Sequence, residues 1–289
     1  MTTNPPKAFE LDVEDVEYIR HGNKPLLARL FKPRGPGPFP LIVEVHGGAW
    51  CHGDRLNDAI INEPLARSGV VVAAVDFRMP PEAGYPASMA DINYAIRWLK
   101  TRAGELGSKP DLVGALGVSS GGHQAMLLAM KPRDPRYAAL PNATEFDGSL
   151  RCVVMCWPVI DPLGRYHYAK KLKQSGKPYP DLVDQVLPCH DQYWQTEDAM
   201  AEGSPVRALE RGERVELPPV ICLQGTRDLA HPRPDIDRFV ENYRKAGGQI
   251  EFALFEGEAE GFIKRNAGSP AASQAIERII QFVHKEIRW

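Results

Sequence analysis

Six short apolar runs constrain this chain more than anything else in it: Leu41–Val45, Val70–Val75, Leu112–Val118, Val153–Trp157, Val220–Leu223 and Phe252–Phe255. Each is too short for an ordinary helix, apolar at nearly every position and mostly rich in β-branched residues. That composition suits strands buried on both faces, as in a parallel sheet covered by helices. Between the runs lie amphipathic segments. Ile92, Ala95, Ile96 and Leu99 follow i, i+3, i+4, i+7 on a helix ending near Arg102, and Ile276, Ile279, Ile280, Val283 and Ile287 form a similar stripe near the end of the chain. Alternating strand and helix imply an α/β domain with right-handed crossovers. Ahead of them, Val13–Ile19 and Leu26–Phe31 flank His21-Gly22-Asn23, the pattern of an antiparallel hairpin at the sheet edge.

One interval breaks the rhythm. Residues 160–216 separate two consecutive strand runs, far beyond a usual strand-to-helix connection. The stretch holds Tyr166, Tyr168, Tyr193, Trp194 and several prolines. It reads as a cap or lid inserted into a single domain over 1–289, not as a second domain.

Charge removes several function classes. Lys plus Arg number 35 and Asp plus Glu 37, for a net charge of −2. That leaves no basic excess for a phosphate backbone, so no nucleic-acid partner is expected. No run approaches the ~18 apolar residues of a membrane span, and the opening MTTNPPKAFE lacks the pattern of a signal peptide. Five scattered cysteines without a Cys-x-x-Cys pair fit a reduced, cytoplasmic protein. No His-Glu-x-x-His points to a metal, and neither a dinucleotide nor a phosphate-binding glycine loop points to a cofactor. The expected partner is a small-molecule substrate, with a homodimer left open.

Three motifs carry chemistry. Gly117-Val118-Ser119-Ser120-Gly121 joins a strand run to a helical stretch, the context of a nucleophile elbow that exposes Ser119 at the sheet's carboxyl edge. His46-Gly47-Gly48-Ala49-Trp50 closes the strand run at 41–45. Small residues there let the amides of Gly47, Gly48 and Ala49, together with that of Ser120, approach a developing oxyanion. Gly225-Thr226-Arg227-Asp228 follows the strand run at 220–223 and places Asp228 where an acid would orient a base.

Together with Asp76-Phe77-Arg78, Pro81-Glu82-Ala83, Tyr85-Pro86-Ala87 and Gly122-His123, these motifs make the chain resemble an α/β-hydrolase. The resemblance is to the hormone-sensitive-lipase-like esterase branch that includes kynurenine formamidases, and it covers nearly the whole chain. It implies an eight-stranded, mostly parallel sheet, no cofactor, and action on carboxylic esters or related acyl bonds.

The resemblance fails at one place. After its last strand the family carries His-Gly-Phe, whose histidine is the base, whereas this chain reads Glu260-Gly261-Phe262. Glu260 thus becomes the candidate base, its weak basicity lifted by sharing a proton with Asp228. His231 lies only three residues past Asp228 in His231-Pro232-Arg233-Pro234. So close a spacing makes the usual acid–base–nucleophile line difficult, which leaves His231 a substrate-binding residue beside Trp50 and Phe262. Three readings stand: an acyl hydrolase of small esters with an atypical base, a lyase or isomerase using the oxyanion hole and a carboxylate, or a ligand-binding homologue. An engineered His-to-Glu change in an ordinary esterase would leave the same sequence.

Overall fold

The computed structural model describes residues 8–288 apart from 143, 177, 178 and 180. An eight-stranded sheet runs through it in the order β1-β2-β4-β3-β5-β6-β7-β8. The hairpin strands β1 (Leu11–His21) and β2 (Lys24–Pro33) are antiparallel to each other, and β2 is antiparallel to β4 (Val71–Val75). The other strands are parallel: β3 (Leu41–Val45), β5 (Val113–Val118), β6 (Val153–Cys156), β7 (Val220–Gly225) and β8 (Ile250–Phe255).

Successive strand side chains point to opposite faces, and this divides the core in two. Val43, Ala73, Met155 and Cys222 pack on one side with α2 (Ala87–Thr101), α3 (Ser120–Met130) and α8 (Arg233–Lys245). Ile42, Val72, Val154 and Ile221 pack on the other with α1 (Ala59–Arg67), α9 (Phe262–Arg265) and α10 (Pro270–Glu286). Burial on both faces explains why the strands are apolar runs instead of alternating ones.

Among the described residues, the long interval between β6 and β7 folds into four helices: α4 (Pro162–Gln174), α5 (Leu182–Trp194), α6 (Glu197–Glu202) and α7 (Pro205–Glu210). They gather a separate aromatic core of Trp50, Tyr166, Tyr193 and Trp194. Trp50 stacks on Tyr193 at 5.5 Å and meets Trp194 edge-on at 5.4 Å, which fixes this layer to the turn after β3.

Candidate active site

The turn from β5 into α3 is the tightest point of the fold. Ser119 sits at φ 52° and ψ −115°, a conformation an L-residue adopts only under constraint. The constraint is visible around it. The Ser119 amide donates to the Cys156 carbonyl at 2.9 Å, while its own carbonyl accepts from His123 and Val159. A Cβ on Gly121 would lie 2.0 Å from the Val45 carbonyl oxygen, and one on Gly117 would lie 2.3 Å from that of Gly121. Glycine is therefore a steric requirement on both sides of the serine.

The turn after β3 lies directly against this elbow. Gly48 has φ +117°, and its carbonyl accepts from the amides of Cys51 and His52, each at 3.0 Å. The Trp50 amide donates to Ser120 Oγ at 3.1 Å. Among the described residues no acceptor pairs with the amides of Gly48, Ala49 or Ser120. The Gly47 amide lies on the side of the buried Asp58 carboxyl, which it helps to keep from rising further. Below the turn, Asp58 sits against Glu44, which is wholly buried in β3 and accepts from Asn62 Nδ2 at 3.2 Å. Burial and the neighbouring Asp58 charge push the Glu44 carboxyl well above its ordinary range. Burial likewise lifts Asp58 to about 6.

His123 serves the same region as a neutral pin. Trp50 Nε1 donates to its Nδ1 at 3.2 Å, so its Nε2 carries the proton and donates to the Gly203 carbonyl at 2.8 Å. Complete burial lowers it to about 4, which keeps it uncharged at neutral pH.

The loop after β7 brings the decisive pair. Asp228 Oδ1 accepts from the amides of Ala230 at 2.8 Å and His231 at 3.1 Å. This side-chain capture of its own downstream backbone curls the chain back on itself. The curl carries the His231 ring onto the other carboxylate oxygen, with Nδ1 2.9 Å from Asp228 Oδ2. His231 Nε2 then stands 3.1 Å from Ser119 Oγ. The Nδ1 proton is donated to Asp228, so Nε2 is left as an acceptor facing the serine hydroxyl. Gln224 Nε2 donates to the His231 carbonyl at 3.0 Å and fixes the loop from beneath. Burial alone would raise the Asp228 carboxyl; attraction to the His231 ring and the hydrogen bond it donates, with the two amides, hold it below its usual range.

The structure differs from the sequence reading at four positions. Glu260 is not hydrogen-bonded to Ser119 or Asp228; its Oε2 accepts from Arg265 Nη2 at 2.8 Å at the rim of the site. Phe262 does not line the cavity: it is buried against Phe255 and Trp157, because the left-handed Gly261 turns the chain inward as α9 begins. Trp50 does not line it either, being 1% exposed within the aromatic layer. His231, read as a substrate contact, is instead paired with both Ser119 and Asp228. The signal for it was Asp228-x-x-His231 immediately ahead of two prolines, and its meaning depends on a turn that spacing alone does not reveal.

Ser119 opens onto a cavity of about 330 Å³ at the carboxyl ends of the strands, at the small end of ligand pockets. Its floor is the Gly47–Ala49 turn with Ser119, and Trp157 and Glu260 form walls. Arg165 of α4 and Leu182 and Val186 of α5 close it from above. No group of side chains able to hold a metal ion occurs among the described residues, and no described helix is long and apolar enough to cross a membrane.

The strand order, with its antiparallel leading hairpin and a serine elbow after β5, defines an α/β-hydrolase. Comparison with known proteins narrows this. The BD-FAE family pattern matches residues 30–242, and the chain belongs to that family. It is 26% identical over 252 residues to esterase LipC of Mycobacterium tuberculosis, covering 86% of this chain and 59% of LipC. Carboxylesterase NlhH of the same organism is 34% identical over 136 residues, which is 46% of this chain and 43% of NlhH. The chain thus spans only part of the length of these curated relatives. Among solved structures, the propionate-bound esterase Est2 of Thermogutta terrifontis superposes with a TM-score of 0.74 at 27% identity, covering 97% of this chain and 94% of that one.

Proposed function

We propose that this chain is a serine carboxylic-ester hydrolase acting on small esters, with Ser119 as nucleophile, His231 as general base and Asp228 as the acid that orients it. The observation that carries the reading is the unbroken line from Ser119 Oγ through His231 to Asp228, at 3.1 and 2.9 Å. His231 Nε2 takes the serine proton as Oγ attacks the ester carbonyl. Asp228, kept ionised by its hydrogen bonds, steadies the imidazolium that forms. The carbonyl oxygen becomes an oxyanion, and the free amides of Gly48, Ala49 and Ser120 are suited to receive it. The imidazolium then returns the proton to the departing alkoxide, leaving an acyl-serine. Water, deprotonated by the same imidazole, releases the acid and restores Ser119.

In this reading Glu260 is not the base, since its carboxylate is engaged by Arg265 and makes no bond to the serine. Helices α4 to α7 act as the cap, leaving 1–289 as one catalytic domain with an insertion at 160–216. The chemistry asks for no metal or cofactor, and a small ester is the partner it requires. Five free cysteines fit a reducing, cytoplasmic setting.

The test is covalent labelling with paraoxon, which a serine nucleophile attacks with release of one equivalent of 4-nitrophenolate. Expected are a stoichiometric burst, a diethylphosphoryl group on the Ser119 peptide, and turnover of 4-nitrophenyl butyrate that Ser119→Ala abolishes. A protein that neither labels nor turns over, yet binds acyl compounds, would be a binding homologue. Activity surviving in Ser119→Ala but lost in Glu260→Gln would mark a carboxylate-dependent lyase or isomerase. Either outcome overturns the hydrolase reading.

A further inference from the structure

The roof of the cavity holds a charge with no hydrogen-bond acceptor or ion-pair partner among the described residues. Arg165, in the first turns of α4, is 2% exposed. Its Nε and Nη2 are buried without a hydrogen-bond acceptor. Among the described residues no carboxylate lies within ion-pair reach of its guanidinium, in contrast to Arg207 and Arg238 nearby, which both reach Asp161. The groups whose fields it feels most are Asp228, the Cys189 thiol and Glu260, and each is engaged elsewhere, Asp228 with His231, Cys189 with His52 and Glu260 with Arg265.

An isolated buried guanidinium is costly, because desolvation takes away its hydration and returns nothing. Its direct contact is with the Trp50 indole, the guanidinium carbon lying 5.3 Å from the ring centroid. A cation–π contact offsets only part of that cost and leaves the in-plane N–H groups unsatisfied. Burial lowers Arg165 to about 10, so it still carries its charge at neutral pH. Arg165 lines the same cavity as Ser119. The neighbouring wall adds Lys264, whose Nζ donates to the Asn57 carbonyl at 3.0 Å, and Arg265.

We propose that Arg165 is a substrate-anchoring residue, and that the ester this site takes carries a carboxylate which pairs with the Arg165 guanidinium while its ester carbonyl lies at Ser119. This rests on the hydrolase reading and goes beyond it by naming the substrate class. A planar carboxylate matches the fork of N–H groups, and it supplies the buried cation with the partner that the fold withholds. The carboxylate belongs to either the acyl or the leaving group, and two matched pairs of esters separate these sources.

The acyl pair is mono-4-nitrophenyl adipate and 4-nitrophenyl hexanoate. The leaving-group pair is 4-carboxyphenyl butyrate and 4-carbamoylphenyl butyrate. In at least one pair the native protein is expected to favour the charged ester by about tenfold or more in kcat/KM, the size of a hydrogen bond to a buried charge. Arg165→Met should bring that ratio to about one, and Arg165→Lys should retain part of it. Adipate, and not adipamide, should inhibit the native protein competitively, a readout that needs no variant to fold. A native protein with no preference for either charged ester, or an Arg165→Met variant with the ratio unchanged, overturns the proposal. Failure of the hydrolase reading looks different: no ester is turned over and Ser119 is not labelled by paraoxon. Calorimetric binding of adipate to the native protein, lost in Arg165→Met, would then still support the anion site, and absence of binding would end it.

Discussion

If His231 is the base, removing it has to be far more damaging than removing the carboxylate of Glu260, and the contacts set the scale. His231 makes both bonds of the relay, at 3.1 Å to Ser119 and 2.9 Å to Asp228. In His231→Ala the serine hydroxyl keeps no acceptor for its proton, and no other histidine contacts it. Loss of a triad base typically lowers kcat by about 10⁴- to 10⁶-fold, or roughly 5 to 8 kcal/mol of barrier at about 1.4 kcal/mol per tenfold. Glu260→Gln removes an ion pair whose carboxylate side chain is 23% exposed and whose Arg265 partner is 66% exposed. Such a pair contributes at most about 1 kcal/mol, so kcat/KM should change by less than about fivefold. The assay is steady-state hydrolysis of 4-nitrophenyl butyrate, with paraoxon titration of active sites so that misfolded protein is not counted as slow enzyme. The two variants should differ by at least about a thousandfold. A Glu260→Gln protein that loses more activity than His231→Ala would refute the assignment and return the base to the loop after β8.

Two further outcomes follow from packing and burial. In Gly121→Ala the new methyl would sit 2.0 Å from the Val45 carbonyl oxygen, so the elbow and β3 must part; denaturant unfolding should show a loss of about 2 kcal/mol or more, with activity falling alongside. Asp58, raised to about 6 mainly by burial, holds its proton in the folded state while the unfolded chain has already released it. Stability from this group is therefore complete below pH 4 and falls by about 3 kcal/mol as pH rises towards 6. Asp58→Asn removes the titrating carboxyl and should flatten that part of the pH–stability curve; an identical slope in calorimetric unfolding at several pH values would contradict it.

The parts of this protein that were legible in its sequence are those whose meaning is local. Two glycines around Ser119 announce a turn because only the absence of a Cβ allows it, and an apolar run such as Val71–Val75 announces a two-sided strand. Asp228 was legible because it follows a strand directly. His231 was not, since its role comes from a curl in which Asp228 first captures the Ala230 and His231 amides, and a residue count does not show a closed turn. Trp50 and Phe262 misled for a related reason: an aromatic residue beside a glycine turn serves equally well as pocket wall or as packing, and burial alone decides between them. Arg165 gave no sign at all, because an arginine in a polar helix such as α4 reads as solvent-facing until another layer is found to cover it.

Placing acid and base three residues apart on one loop has a mechanical consequence. The acid and base are joined to each other by hydrogen bonds within residues 224–231, and the same loop is anchored to the end of β8 by the amides of Thr226 and Arg227, which donate to the Phe255 and Glu258 carbonyls. The Glu260–Arg265 rim, beyond those anchors, makes no hydrogen bond to Asp228 or His231 and can loosen while the two stay in register. Under mild heating or denaturant the rim would then give way before the relay, and such a protein should lose its discrimination between esters before it loses the power to cleave them.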